Sequence, residues 1–100
     1  MTDKEKIKQF DDCKEFLKRF VGCTVICYVG KVNNALAIRT VFNHYKLVDY
    51  DKIGFELKKN DDETLFIPKR NLDKASLRGA SIRILYDTDD IVSMTILVTK

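Results

Sequence analysis

The stretch TDKEKIKQFDDCKEFLKRFVG (residues 2–22) is the most regular in the chain, and the reading of everything after it depends on it. Its apolar side chains fall at Ile7, Phe10, Cys13, Phe16, Leu17, Phe20 and Val21. At about 100° per residue these positions share roughly half of a helix circumference. Lys4, Lys8, Asp11, Asp12 and Lys18 fall on the opposite side. Thr2 and Glu5 have the spacing of a capping box, in which each side chain satisfies a backbone N–H of the first turn. Gly22 stands where a left-handed residue closes a helix. The pattern predicts one amphipathic helix over residues 3–21. Phenylalanines on its apolar face need another surface to cover them.

The remainder reads as strands. Thr24 to Val29 is rich in β-branched residues. Leu36 to Phe42 alternates, with Leu36, Ile38, Thr40 and Phe42 expected on the core side and Ala37, Arg39, Val41 and Asn43 on the other. Tyr45 to Tyr50 is a shorter strand. Ile53, Phe55 and Leu57 alternate with Gly54, Glu56 and Lys58, so all three apolar residues are expected on one face. Lys59 to Asp62 is a hairpin turn leading into a strand over Thr64 to Ile67, which Pro68 closes because it lacks a donor N–H. Asn71 to Ser76 reads as one short helical turn capped by Asn71. Ile82, Ile84 and Tyr86 alternate again. Asp87 to Asp90 is a polar turn, and Ile91 to Val98 is a last strand with Val92, Met94, Ile96 and Val98 on one face. Parallel crossovers need a dozen residues or more, and none of these links is that long. The expected class is α+β: an N-terminal amphipathic helix packed on an antiparallel β-sheet, or on a partly closed small barrel, of six or seven short strands in a single domain over residues 1–100.

The segment running from Phe20-Val21-Gly22-Cys23-Thr24-Val25 through Ile53-Gly54-Phe55-Glu56-Leu57 to Thr64-Leu65-Phe66-Ile67-Pro68-Lys69 resembles the Sm-like and related SH3-like small β-barrels in element order and strand length. The resemblance covers residues 5–77. It implies an N-terminal helix before five bent strands, with rings that bind RNA at inter-strand loops. Val32-Asn33-Asn34 lacks the aspartate that leads the RNA-binding loop pattern of that family. No residue roles are carried over from it.

Composition narrows the function. The chain has 100 residues, 45% of them hydrophobic and 33% charged, a globular balance. It is too short for a cofactor domain beside a substrate domain. No phosphate-binding glycine loop, HExxH helix or nucleophile elbow occurs, so neither enzymatic activity nor a cofactor is expected. His44 is the only histidine, and its flanks place it in an exposed turn. Cys13, Cys23 and Cys27 are an odd count without Cys-x-x-Cys spacing, which fits small reduced core residues in a cytoplasmic protein. Asp61-Asp62-Glu63 and Asp87-Thr88-Asp89-Asp90 fall at turns, where Asp bonds its own backbone, so no metal site is expected. The charged start leads into no apolar run, and no stretch approaches the roughly 18 residues of a membrane span.

What remains is binding. The net charge is +3, from 18 basic and 15 acidic residues. Within residues 71–100 four basic residues balance four acidic ones, and within 51–70 five balance five. No segment is a basic tract, so an anionic partner is permitted and not demanded. The expected function is a non-enzymatic protein-interaction or regulatory adaptor, self-associating through its last hairpin or an exposed sheet edge. The alternative is a module that binds RNA or single-stranded DNA. Its candidate residues are Arg39, Lys46, Tyr45, Lys69, Arg70 and Arg83, with Tyr28 or Tyr45 available to stack on a base.

Overall fold

Helix α1 (Asp3–Arg19) forms on the predicted apolar period, with Phe10, Cys13, Phe16 and Leu17 buried. Thr2 is its N-cap, and Thr2 Oγ1 accepts a hydrogen bond from the Glu5 N–H at 3.2 Å. The helix ends two residues earlier than the periodicity predicts. Phe20 donates to the Leu17 carbonyl at 3.3 Å, and Gly22 takes φ +100° within the turn that follows. The structure is a computed structural model describing residues 2–31, 38–88 and 91–99.

Eight strands follow: β1 (Thr24–Lys31), β2 (Ile38–Phe42), β3 (Lys46–Asp49), β4 (Gly54–Lys58), β5 (Thr64–Pro68), β6 (Leu72–Arg78), β7 (Ser81–Tyr86) and β8 (Ile91–Thr99). They form two antiparallel sheets, ordered β2-β1-β8-β7-β6 and β3-β4-β5. The helix-on-antiparallel-sheet class read from the sequence is the one observed.

The small barrel is not. Neither sheet closes on itself among the described residues, since β2 and β6, and β3 and β5, are the unjoined ends of their sheets. A barrel needs one sheet bent round until its ends meet. Here the chain breaks out of the first sheet after β2, where His44 adopts φ 53° and turns β3 into a separate layer. The Sm-like resemblance fails at that turn.

Register explains the burial. Across the larger sheet one inner row runs Ala75, Ile84, Met94, Val29 and Ile38, and the next runs Leu77, Ile82, Ile96, Cys27 and Thr40. The middle residues of both rows are buried in the same cluster as Phe10, Leu17, Phe55, Leu57 and Ile67. The helix and the smaller sheet therefore both cover the inner face. Phe10 meets Phe55 with ring centroids 5.3 Å apart. Tyr45 Oη donates to the Leu17 carbonyl at 2.6 Å, and Tyr86 Oη to the Pro68 carbonyl at 2.6 Å. Each of these phenols joins one layer to another.

Three further local expectations need correction. Residues 72–78 form strand β6, not a helical turn. Asn71 takes φ 59° at the start of that strand instead of capping a helix, and Ala75 is the inward residue. Ile53 is 64% exposed and does not share the face of Phe55 and Leu57, because Gly54 at φ +141° reorients the chain between them. Ile38 is exposed although Phe42 on the same strand is buried, since β2 is a sheet edge. Leu36 and Ala37 lie outside the described residues. Among the described residues no helix is long and apolar enough to cross a membrane.

Ion pairs orient the helix. Asp49 at the end of β3 accepts from Lys18 at 2.8 Å and from Lys14 at 3.3 Å, and Asp11 pairs with Lys69 at 3.1 Å. Lys14 is buried among these carboxylates. The hydrogen bond from Lys18 and that from the Asp51 backbone N–H hold the Asp49 carboxyl down at about 2.

Two predictions follow from this packing. A Cβ at Gly54 would run into the Ile67 carbonyl oxygen on the adjacent strand, besides the strain of a left-handed φ. Gly54→Ala is expected to lower stability by about 2 kcal/mol or more in urea unfolding. Asp49 has a folded pKa below its unfolded value, so its contribution is complete above about pH 4 and is lost as pH falls toward 2. Asp49→Asn should therefore be less stable than the parent by about 1 kcal/mol at neutral pH, an amount reduced for solvent screening. That difference should shrink to near zero by about pH 2, and a constant difference across the range would remove Asp49 from this role.

Candidate functional site

The inner face of the larger sheet is consumed by packing, so its outer face is left to solvent. Strand alternation decides what stands there. The outer rows, read from β6 across β7, β8 and β1 to β2, follow from the register. One row is Lys74, Leu85, Ser93 and Gly30. The central row is Ser76, Arg83, Thr95, Tyr28 and Arg39. The third is Arg78, Ser81, Leu97, Ile26 and Val41. These rows contain four cations, one aromatic ring, several hydroxyls, and no carboxylate.

The cations cluster. Arg83 lies diagonally across from both Lys74 and Arg78, an arrangement that sets Cα atoms about 7–8 Å apart. The three side chains, with Ser76, Ser81 and Leu85, line a shallow hollow of about 470 Å³. Arg39 stands three strands away from Arg83, about 14 Å at ordinary strand spacing. Between them Tyr28 is half-buried and directly opposite Arg39.

Ion pairing alone does not separate this face from the rest of the surface, since Lys46, Lys52 and Arg70 are also unpaired among the described residues. The grouping of cations in rows without a carboxylate does. Among the described residues, Lys74, Arg78, Arg83 and Arg39 make no ion pair. Asp73 sits in the bulge between Leu72 and Lys74 and outside the paired rows, with no ion pair to these cations, and many of the other carboxylates are engaged elsewhere. Asp11, Asp12, Glu15 and Asp49 meet lysines on or beside α1, and Asp61 and Glu63 meet Lys58 and Lys59 in the β4–β5 hairpin. Unpaired cations grouped on a face without carboxylates create a positive potential that recruits anions.

The six sequence candidates are divided by the fold. Arg39 and Arg83 come together on the outer face. Tyr45 does not: its ring is fully buried and its hydroxyl is spent on Leu17, while burial pushes its pKa up. Lys69 is also structural, paired to Asp11 and set 5.6 Å over the Phe10 ring. Lys46 is exposed on β3, opposite Lys58 in the other sheet. Arg70 is exposed beside a separate hollow of about 220 Å³ that Tyr86 and Ile91 also line. Lys74 was missed. Its signal was the alternation Lys74, Ser76, Arg78 against Ala75 and Leu77, legible only once residues 72–78 are taken as a strand.

Other chemistry is less well provided for. His44 is exposed, with Nδ1 3.1 Å from the Gly22 carbonyl oxygen. Burial pushes the Cys27 thiol up to about 12. Burial, with Asp12 nearby, pushes the Cys13 thiol up to about 11. Thiols that stay protonated are weak nucleophiles and weak metal ligands. Among the described residues no group of three or more His, Cys, Asp or Glu side chains is placed to hold a metal ion. The first acidic cluster serves its turn, where Asn60 Oδ1 accepts from the Asp62 and Glu63 N–H groups at 2.9 and 2.8 Å. Thr88 Oγ1 donates to the Ile91 carbonyl at 2.8 Å in the second, of which Asp89 and Asp90 lie outside the described residues.

Comparison with known proteins adds nothing to these observations: no family model, no curated protein and no solved structure matches the chain.

Proposed function

We propose that this chain is a nucleic-acid-binding module and that the outer face of the five-stranded sheet is its binding surface. The observation that carries the reading is the grouping of Lys74, Arg78, Arg83 and Arg39 on one face, without a carboxylate partner among the described residues. A polyanion supplies the missing counter-charge at every one of these positions. Tyr28, set among them, adds a flat apolar surface that a simple anion would leave unused. The modest net charge is no obstacle, because a binder needs its cations on one face and not in excess overall.

The sequence favours a self-associating protein-interaction domain, and one feature supports that second reading. Tyr50 and Ile53, in the turn between β3 and β4, and Phe66 on β5 are exposed, with the Tyr50 and Phe66 rings 6.1 Å apart. A second copy of the chain could cover them. The last hairpin is less suited to strand addition, since β7 and β8 are both paired on either side. Sedimentation across a concentration series should show a dimer that Ile53→Lys abolishes, and a monomer throughout sinks this second reading.

The nucleic-acid reading is tested by fluorescence anisotropy with labelled RNA and DNA, single-stranded and duplex. Four neutralised phosphates predict a salt slope of about −3 for a single strand, or roughly fiftyfold weaker binding at 200 mM than at 50 mM salt. Replacing Arg39 and Arg83 together by Ala should cut that slope to about −1.5. Lys46→Ala and Arg70→Ala, which lie off this face, should leave affinity within about twofold of the parent. Absence of binding to every probe at low salt would overturn the reading.

A further inference from the structure

We infer that the occupant of the outer face is single-stranded RNA, with a base stacked on the Tyr28 ring and phosphates held by Arg39 on one side and by Arg83, Lys74 and Arg78 on the other. This rests on the nucleic-acid reading above and narrows it.

Three features select a single strand over a duplex. Tyr28 occupies the central outer row between the two cationic groups, and its hydroxyl has no partner among the described residues. A ring in that position serves a partner that offers the flat face of an unpaired base, and a duplex hides those faces in its own stack. Beside Tyr28 the third row presents Ile26, Leu97 and Val41, all half-buried. Splayed bases cover such a floor, whereas the phosphates and sugars outside a duplex leave it wet. The paired rows form a sheet surface, whereas reading a duplex groove takes a helix or ribbon that enters it.

A fourth feature selects RNA. Ser76, Ser81, Ser93 and Thr95 stand on this face, partly buried, and their hydroxyls have no hydrogen-bond partner among the described residues. Thr95 lies between Arg83 and Tyr28 in the central row. Hydroxyls interleaved with phosphate-binding cations can exchange hydrogen bonds with the ribose 2′-hydroxyls, the groups that distinguish RNA from DNA.

The chain contains no tryptophan, so Tyr28→Trp places a single reporter at the stacking position. The probe is a mixed-sequence RNA of roughly 15 nucleotides, with its duplex and the matching single-stranded DNA as comparators. Single-stranded RNA should quench the emission of Tyr28→Trp, and duplex RNA at the same concentration should not. In anisotropy, Tyr28→Ala should bind the RNA roughly tenfold or more weakly, and Tyr28→Phe within about threefold of the parent, since the ring and not the hydroxyl does the stacking. Circular dichroism of each variant reports whether the fold is retained, and Tyr28→Phe and Tyr28→Trp keep the test decisive if Tyr28→Ala unfolds. Parental affinity in a folded Tyr28→Ala, or duplex bound as tightly as the single strand, overturns the inference while leaving the nucleic-acid reading in place. Single-stranded DNA bound as tightly as RNA overturns the RNA assignment. No binding to any of the probes overturns the inference and the broader reading together.

Discussion

The apolar side of α1 has to be buried, and the two sheets are arranged around that requirement. Phe10, Cys13, Phe16 and Leu17 cannot be left in water, and each large apolar side chain buried is worth about 1.5–3 kcal/mol. The helix meets this demand by packing along β6 and reaching Phe55 in β4, which joins the five-stranded and three-stranded sheets in one core. Once the helix and the smaller sheet fill the inner side of the larger sheet, nothing of the described chain is left to cover its outer side. The open face is a direct consequence of where the helix went.

Directional contacts then set how the layers sit on each other. Tyr45 and Tyr86 each bring an apolar ring into the core and give the hydroxyl to a carbonyl of another element. A buried phenol without such an acceptor would cost about 1–3 kcal/mol, so each hydroxyl penalises a shifted arrangement as well as stabilising the observed one. Asp49 acts similarly at the surface, gathering Lys14 and Lys18 from successive turns of α1. Exposed ion pairs contribute little energy, but this group prevents the helix from rotating about its axis without breaking several contacts at once.

Charge is distributed in a way that packing alone does not require. Acidic residues meet lysines around the helix and in the β4–β5 hairpin, while the outer face keeps its cations unpaired. Grouped like charges repel and lower stability slightly. Their grouping around a half-buried tyrosine and a set of unpartnered hydroxyls gives the face the chemical character of a surface for phosphate, base and ribose.

How much of this was legible in the sequence depended on the range of the interaction. The helix follows from residues 2–20 alone, because its period and its cap are local. Most strands follow from alternation between neighbours, and the failures are local too: Asn71 mimics a helix cap, and Gly54 hides a change of direction behind the run Ile53, Phe55, Leu57. The candidate face was only partly legible. Arg39 and Arg83 were identifiable as outward residues, but Tyr45 and Lys69 read equally well as surface groups until the helix came to rest against them. Within residues 71–100 the basic and acidic residues balance, so no count of charge along the chain discloses a patch. The sequence by itself determined that Arg83 falls on the side of its strand opposite Ile82 and Ile84, while Lys74 and Arg78 join that side only because residues 72–78 pair with β7 as a strand instead of forming a helical turn. Only the tertiary structure decided that β1 and β2 join the same sheet, bringing Tyr28 and Arg39 into line with them. Strand pairing acts between segments more than 50 residues apart, and its register is set by a shared core that no single segment contains.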